Sequence, residues 1–432
     1  MRLLRKLVII AAVSFLLISL LSLNPLVSSP QRMFLRFSGW GAGATEIELY
    51  TKMLKEFMKE NPDVYVKYEP IPQMYHENIL AMFGAGVAPD VFYVDSSWAP
   101  IFISKGALYP IDKLAKPEFV AMYYDFLLAP FKGPDGKLYG LPKDWSMLFL
   151  CYNKKLFAKA GLTRPPETWD ELLKYAKIIA DKIGVPGFAV YLGGFERYLP
   201  MALSYGAPKP FFAKPEDASW FELPEVKETL KWWVELYVKG KIERERKGLT
   251  PYVVSPADVG AGWFGDAFGS GKVAMVLSGN WIIPFLNYTY PDFKYGVDWD
   301  VAPVPKGPKG RATMAFTVCL GINARTEHPE AAWKLVKYLI GLKGQEKLVV
   351  EMGHTLPSIK QLATHPKLWP QHRKTLEFQK LYDVIMVWFM GPKHGELTNK
   401  INSVIEAAML GKIAPDKVAD ELHSVVYETL KG

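Results

Sequence analysis

Residues 271–281 read GKVAMVLSGNW. Lys272 to Leu277 is a short apolar, β-branched run that follows a glycine, the composition of a buried strand. Ser278-Gly279-Asn280 is a tight turn at its carboxyl end, and Trp281 opens the next apolar segment, IIPFL. In an open α/β sheet, ligands sit in the crevice beyond the carboxyl ends of the strands. An indole there offers a flat apolar face that suits the C–H face of a sugar ring, while polar neighbours hold the hydroxyls. On this segment alone, Trp281 reads more readily as an ordinary core aromatic.

The rest of the chain repeats the pattern. Met33 to Ser38 is strand-like, and Gly39 to Ala44 (GWGAGA) is a turn. From Glu46 to Glu60, Ile47, Tyr50, Leu54, Phe57 and Met58 fall at helical spacing, closed by Asn61-Pro62. Val64 to Tyr68 alternates as a strand, His76 to Phe83 is a helix, and Asp90 to Val94 is a strand ending at Asp95-Ser96-Ser97-Trp98. This β-α-β-α-β order predicts parallel strands with right-handed crossovers. Further strands are expected at Ser146 to Tyr152, Gly187 to Tyr191 and Thr313 to Asn323. Thr168 and Glu171 predict a capping box for a helix through Ile183. Three segments read as crossings between two lobes: Lys143-Asp144-Trp145, Val301 to Gly310, and Thr355-Leu356-Pro357-Ser358.

With 432 residues, half of them hydrophobic, the chain exceeds one ordinary core. Arg2, Arg5 and Lys6 precede an apolar run from Leu7 to Leu23, with Val27-Ser28-Ser29 as a small-residue cleavage site. That is the pattern of an export leader or an uncleaved anchor. No Cys follows the run, so a bacterial lipid anchor is not expected. The net charge is +8; the first 29 residues hold three basic groups and no acidic one, so the remainder carries +5. This charge is mild and unclustered, which argues against nucleic-acid binding. Cys151 and Cys319 both lie in apolar strand-like runs and read more readily as two buried thiols than as the disulfide an exported protein could form.

The catalytic motifs fail in turn. Gly39 to Ala44 fits a loose dinucleotide fingerprint, but Trp40 puts bulk where a pyrophosphate must approach, and export removes the chain from the nicotinamide pool. Gly269-Ser270-Gly271-Lys272 precedes its strand instead of following one, and Val273 stands where a phosphate loop needs Ser or Thr. His76-Glu77 lacks a second His one turn on, no G-x-S-x-G elbow occurs, and the His and Cys show no metal spacing. Asp95, Asp144 and Glu196 are candidate glycosidase carboxylates, each equally readable as a hydrogen-bond acceptor or cap. What remains is a set of aromatic and polar residues at strand ends and crossings: Trp40, Asp95, Trp98, Trp145, Glu196, Tyr198, Asn280, Trp281 and Arg311. Each alone is more readily structural. Their shared placement in both halves points to a cleft.

In order and spacing, the chain resembles the extracellular solute-binding proteins of ABC importers, in the sugar-specific, maltose-binding branch. The resemblance runs through Ser38-Gly39-Trp40, Ala88-Pro89-Asp90-Val91 to Trp98, Gly106-Ala107-Leu108, Leu138-Tyr139-Gly140-Leu141-Pro142 and Leu150-Cys151-Tyr152-Asn153-Lys154. It continues through Pro166 to Leu172, Gly271 to Met275 with Gly279-Asn280-Trp281, Ala302-Pro303-Val304-Pro305 and Gly321-Ile322-Asn323. It implies an α/β fold of type II, with two lobes, each a sheet flanked by helices, joined by hinge crossings. Residues 1–29 would be leader or anchor, 30–141 with 306–356 the first lobe, and 142–305 with 357–432 the second. The resemblance places Trp40 and the Asp95 to Trp98 loop on one side of the cleft, and Trp145, Glu196, Tyr198 and Trp281 on the other. It sets Arg311 beside the second crossing and leaves the region Lys393-His394-Gly395 without the aromatic the family places near there. The function implied is an extracytoplasmic, monomeric receptor. It would capture a di- or oligosaccharide without cofactor or reaction and deliver it to an ABC permease. The alternatives are a glycerol-phosphate-type ligand, which would need more basic groups than Arg311, and an exported glycoside hydrolase.

Overall fold

The computed structural model describes residues 32–41 and 44–432. The expected leader, and Ala42 and Gly43 of the first turn, lie outside these residues. Two sheets organise the chain. In the first, β1 (Met33–Ser38), β2 (Val64–Tyr68) and β3 (Val91–Asp95) are parallel, with β1 in the middle. The helices between them are α1 (Ala44–Glu60) and α2 (Tyr75–Gly84). The connections are thus the expected β-α-β-α-β unit.

The second sheet has the order β7-β6-β8-β5-β9. Its strands are β5 (Phe149–Asn153), β6 (Phe188–Ala189), β7 (Val253–Val254), β8 (Met275–Ser278) and β9 (Trp299–Ala302). Helix α3 (Trp169–Ile183) begins where the Thr168 hydroxyl accepts the Glu171 N–H at 3.1 Å. The expected reciprocal half of that box is replaced: the Glu171 carboxylate accepts the Glu167 N–H and holds Arg164.

Two long strands belong to both lobes. β4 (Gly140–Met147) runs antiparallel to β10 (Ala312–Ile322) over most of its length. Leu141 lies in the first core, with Phe37, Tyr93 and Trp333, whereas Trp145 and Met147 lie in the second, with Trp169 and Trp299. β10 crosses in the opposite sense: Ala312, Met314 and Ala315 pack in the second core, and Val318, Leu320 and Ile322 in the first. Register shifts between Val318 and Cys319, whose partners are Asp144 and Pro142, so Lys143 is an extra residue at the middle of the crossing. A bulge there bends and twists the strand without breaking the ladder.

The second change of lobe, expected at residue 306, therefore falls inside β10. The Lys306–Gly310 turn stays on the second lobe, where the Lys306 N–H donates to the Glu167 carbonyl and the Lys309 N–H to the Ser204 carbonyl. The expected segment 357–432 also divides. Ile359, Leu362 and Leu368 return to the first core, and the chain meets the second from Trp369, which packs against it, onward to the buried Phe378. The expected single strand over Ser146 to Tyr152 is instead the end of β4 and the start of β5.

Among the described residues, no helix is long and apolar enough to cross a membrane, and no His/Cys/Asp/Glu group could hold a metal ion. Cys151 and Cys319 are free, fully buried and in different cores, and burial pushes both thiols well up. A thiol is reactive as its accessible thiolate. A disulfide-exchange reagent is therefore expected to label neither cysteine in the folded protein and both after denaturation; rapid labelling without denaturant would contradict these positions.

Candidate functional site

One wall of the interlobe cleft lies at the carboxyl ends of β1 and β3. Trp40, half-buried, meets Tyr93 edge-on at 5.4 Å between ring centroids and Tyr75 at 6.2 Å. Trp98, also half-buried, lies flat on the His76 imidazole at 4.8 Å and 9°. The Asp95 N–H points at His76 Nε2 (3.4 Å), so that nitrogen accepts and the ring proton sits on Nδ1. Burial holds His76 at about 3. The Asp95 carboxylate accepts the Ser97 N–H at 2.8 Å and its hydroxyl at 2.5 Å. Burial nonetheless raises its pKa, against those two hydrogen bonds, and Asp144 adds to the rise.

The crossing strands lie between the walls. The Ser96 N–H donates to the Thr317 carbonyl, and the Thr317 hydroxyl to the Asp144 carbonyl. Lys143 and Asp144 are both buried and form an ion pair at 2.5 Å, with Lys143 Nζ also 4.9 Å from the Tyr93 ring centre. His354 Nε2 lies 3.8 Å from the same carboxylate; burial and the Lys143 charge lower its pKa. Trp388 donates its N–H to the Ala315 carbonyl and accepts the Ser96 hydroxyl at its own, which sets it beside this crossing although it lies well upstream of Lys393 in sequence.

The other wall lies at the carboxyl ends of β6 and β8. Trp281 is half-buried and meets Phe316 of β10 edge-on at 5.3 Å and 83°. Its indole lies across Gly279, where a Cβ would fall 2.2 Å from the ring. Only glycine permits that approach. Helix α4 (Phe195–Ser204) starts after Gly194, whose φ of 56° suits a residue without Cβ. Its first turn carries Glu196 and Arg197 as an ion pair. The Arg197 guanidinium sits 4.7 Å from the ring centres of both Tyr191 and Phe264, and its Nε–H donates to the Leu277 carbonyl of β8. The two ring centres are only 3.9 Å apart, so both rings lie on one side of the cation and attract it together.

Trp40, Asp95, Trp98, Glu196 and Trp281 thus stand half-buried at or just beyond the carboxyl ends of their strands, in both lobes. The other four candidates do different work. Trp145 is fully buried, with its indole N–H on the Pro357 carbonyl at 2.9 Å and its backbone paired with Leu356. Tyr198 is fully buried, with its hydroxyl on Thr229 at 2.9 Å. Asn280 is fully buried among polar partners. Arg311 donates to the Val304 carbonyl through its guanidinium and to Asp383 through its N–H, holding the turn before β10. Alternation explains Trp145: successive side chains of β4 point to opposite faces, so Asp144 and Ser146 share the face that Trp145 leaves.

Sequence reasoning missed His76, Tyr191, Arg197, Phe264 and Phe316. In the sequence, His76 presents itself only as a metal-ligand candidate. Arg197 carried a signal, since it stands in the same aromatic turn as Glu196.

Residues 43–346 match the sequence profile of the bacterial extracellular solute-binding proteins. A binding protein of Brucella abortus is 26% identical over 390 residues, which cover 88% of this chain and 90% of that protein. The galactooligosaccharide-binding protein of Bacillus subtilis is 26% identical over 87% of this chain and 84% of its own length. Among solved structures, the GacH receptor of Streptomyces glaucescens superposes with a TM-score of 0.78 at 22% identity, covering 93% of this chain and 99% of that one.

Buried histidines give the molecule a pH signature. Burial lowers His76 and His394 to about 3 and His372 to about 4, from an ordinary 6.5. As pH falls through 6.5, the unfolded chain takes up protons that the folded one refuses, so the stability these groups contribute is complete above 6.5 and declines toward about 3. Tm is expected to fall measurably between pH 6.5 and about 5, above the usual carboxylate range, and less steeply in a His394→Gln variant; a flat Tm over that interval would refute the assignment.

Proposed function

Because this chain belongs to the bacterial extracellular solute-binding protein family, we propose that it is a receptor for a di- or oligosaccharide, held between the two lobes and passed to an ABC permease outside the cytoplasm. The observation that carries this reading is the pairing of half-buried tryptophans, Trp40 and Trp98 on one wall and Trp281 on the other, with cations that are already neutralised by partners. Indole faces cover the apolar faces of sugar rings, while Asp95 and the Glu196–Arg197 pair offer acceptors and donors to hydroxyls. Closing two lobes on such a ligand removes water from those bonds. Tryptophans on both walls suit more than one ring. The naming of the Bacillus relative for galactooligosaccharides agrees with this.

The paired charges weigh against the alternatives. A phosphorylated ligand needs uncompensated cations. Arg197 faces Glu196, Lys143 faces Asp144, and Arg311 is engaged at the Val304 carbonyl. A glycosidase needs one carboxylic acid and one carboxylate flanking the bond it cleaves. Asp144 and Glu196 are both tied to cations, which leaves Asp95, held by Ser97, as the one candidate carboxyl without a cation partner, and one carboxyl does not make the pair.

The test is a titration of intrinsic tryptophan fluorescence with maltose, trehalose, cellobiose and longer oligomers. A saturable change is expected, with the sugar recovered unaltered. Trp281→Ala should weaken binding by about 2 kcal/mol or more, as loss of a central aromatic does, whereas Tyr198→Phe should lower stability by ~1 kcal/mol and leave affinity unchanged. Absence of binding across the set would overturn the sugar reading, and cleavage of a bound sugar would make the receptor an enzyme.

A further inference from the structure

We propose that His372 is a positioning residue for Trp281, acting through Asn280. This rests on Trp281 being a ligand platform of the cleft. Asn280 directly precedes Trp281 and is fully buried. The Met147 N–H, which can only donate, lies 3.2 Å from Asn280 Oδ1, and Ser146 Oγ lies 3.3 Å from the same oxygen. These neighbours fix which way the amide faces. Its Nδ2 is therefore turned to the Thr375 hydroxyl at 2.8 Å and to His372 Nδ1 at 3.2 Å.

The Gly353 carbonyl, which can only accept, lies 2.8 Å from His372 Nε2. The ring proton is thus on Nε2, and Nδ1 presents a lone pair to the Asn280 amide. The Thr375 hydroxyl donates to the His372 carbonyl at 3.0 Å and accepts from Asn280. The Asn280 N–H donates to Ser146 Oγ at 2.7 Å. Every polar atom of the Asn280 and His372 side chains has a partner, and a buried network satisfied in this way specifies one geometry.

The network ties the foot of the indole to three separate segments. Ser146 and Met147 come from β4, Gly353 from the chain just before the Leu356–Trp145 pair, and His372 and Thr375 from the helix Pro370–Phe378. Gly279 and Phe316 seat the ring itself. The indole face is thereby aimed before a ligand arrives, which removes an ordering cost from binding.

Fluorine NMR of fluorotryptophan-labelled protein tests this without any sugar, with the Trp281 signal assigned as the one missing from Trp281→Phe. His372→Leu removes the acceptor and is expected to broaden or split that signal. His372→Asn places a carbonyl oxygen near the Nδ1 position and is expected to restore a single line. In the sugar titration above, His372→Leu should raise Kd about tenfold, and His372→Asn should return it to within about twofold of the parent value. A single unshifted Trp281 signal in folded His372→Leu, or a disturbed signal with unchanged Kd, would overturn the assignment. If His372→Leu does not fold, Thr375→Val, which removes the other Nδ2 acceptor at constant shape, is judged by the same two readouts. If the parent protein binds no sugar, the receptor reading falls, while the fluorine spectrum alone still decides whether His372 orients Trp281.

Discussion

The two lobes share one hydrogen-bonded seam, and the site depends on it. β4 and β10 pair antiparallel through the boundary between the cores, and Trp145 closes a second backbone pair with Leu356. Backbone groups buried at a crossing must find partners, and here they find them in each other. The lobes are therefore joined by a twisted ribbon with one bulge, at Lys143, instead of by loose linkers. A ribbon of this kind resists stretching and allows bending and twisting about the irregular point. The indole of Trp145 is anchored at that seam and not in the ligand space.

Burying Lys143 and Asp144 at the bulge carries a desolvation cost that close pairing offsets; removing either partner alone leaves an unpaired charge, typically a loss of 3–5 kcal/mol. Arg197 and Glu196 repeat the arrangement on the opposite wall, with two rings covering the guanidinium. The cleft thus contains charge without a strong excess of either sign. Such an environment favours neutral, polyhydroxylated molecules, whose many donors and acceptors can each find a complement, over ions that need a single dominant countercharge.

Much of this was legible from composition and period. The parallel first unit followed from β-α-β-α-β order, the end of β8 from Gly271 to Trp281, and the first crossing from Lys143-Asp144-Trp145. Trp40, Asp95, Trp98, Glu196 and Trp281 are legible as candidates because strand ends are punctuated by Gly, Ser and Asn, and the fold leaves each of them half-buried there. Trp145, Tyr198 and Asn280 were misplaced for a common reason: proximity to a strand end says nothing about which way a side chain points, and alternation along β4 or one turn of α4 turns it into the core. The second crossing was misread because Val301 to Gly310 has the proline and glycine of a linker, whereas the real crossing lies inside an apolar strand with no punctuation. Arg197 was hidden because its role comes from Tyr191 and Phe264, which only the fold brings together.

The division of β10 between two cores has a consequence for synthesis. Asp95 waits for Val318, more than two hundred residues later, and the second core waits for Val426 on the helix Val418–Lys431. Contacts so distant along the chain form slowly, because loop closure must precede them. The first core stays open until Leu368 is made and the second until Val426, so neither half of the molecule locks early in synthesis.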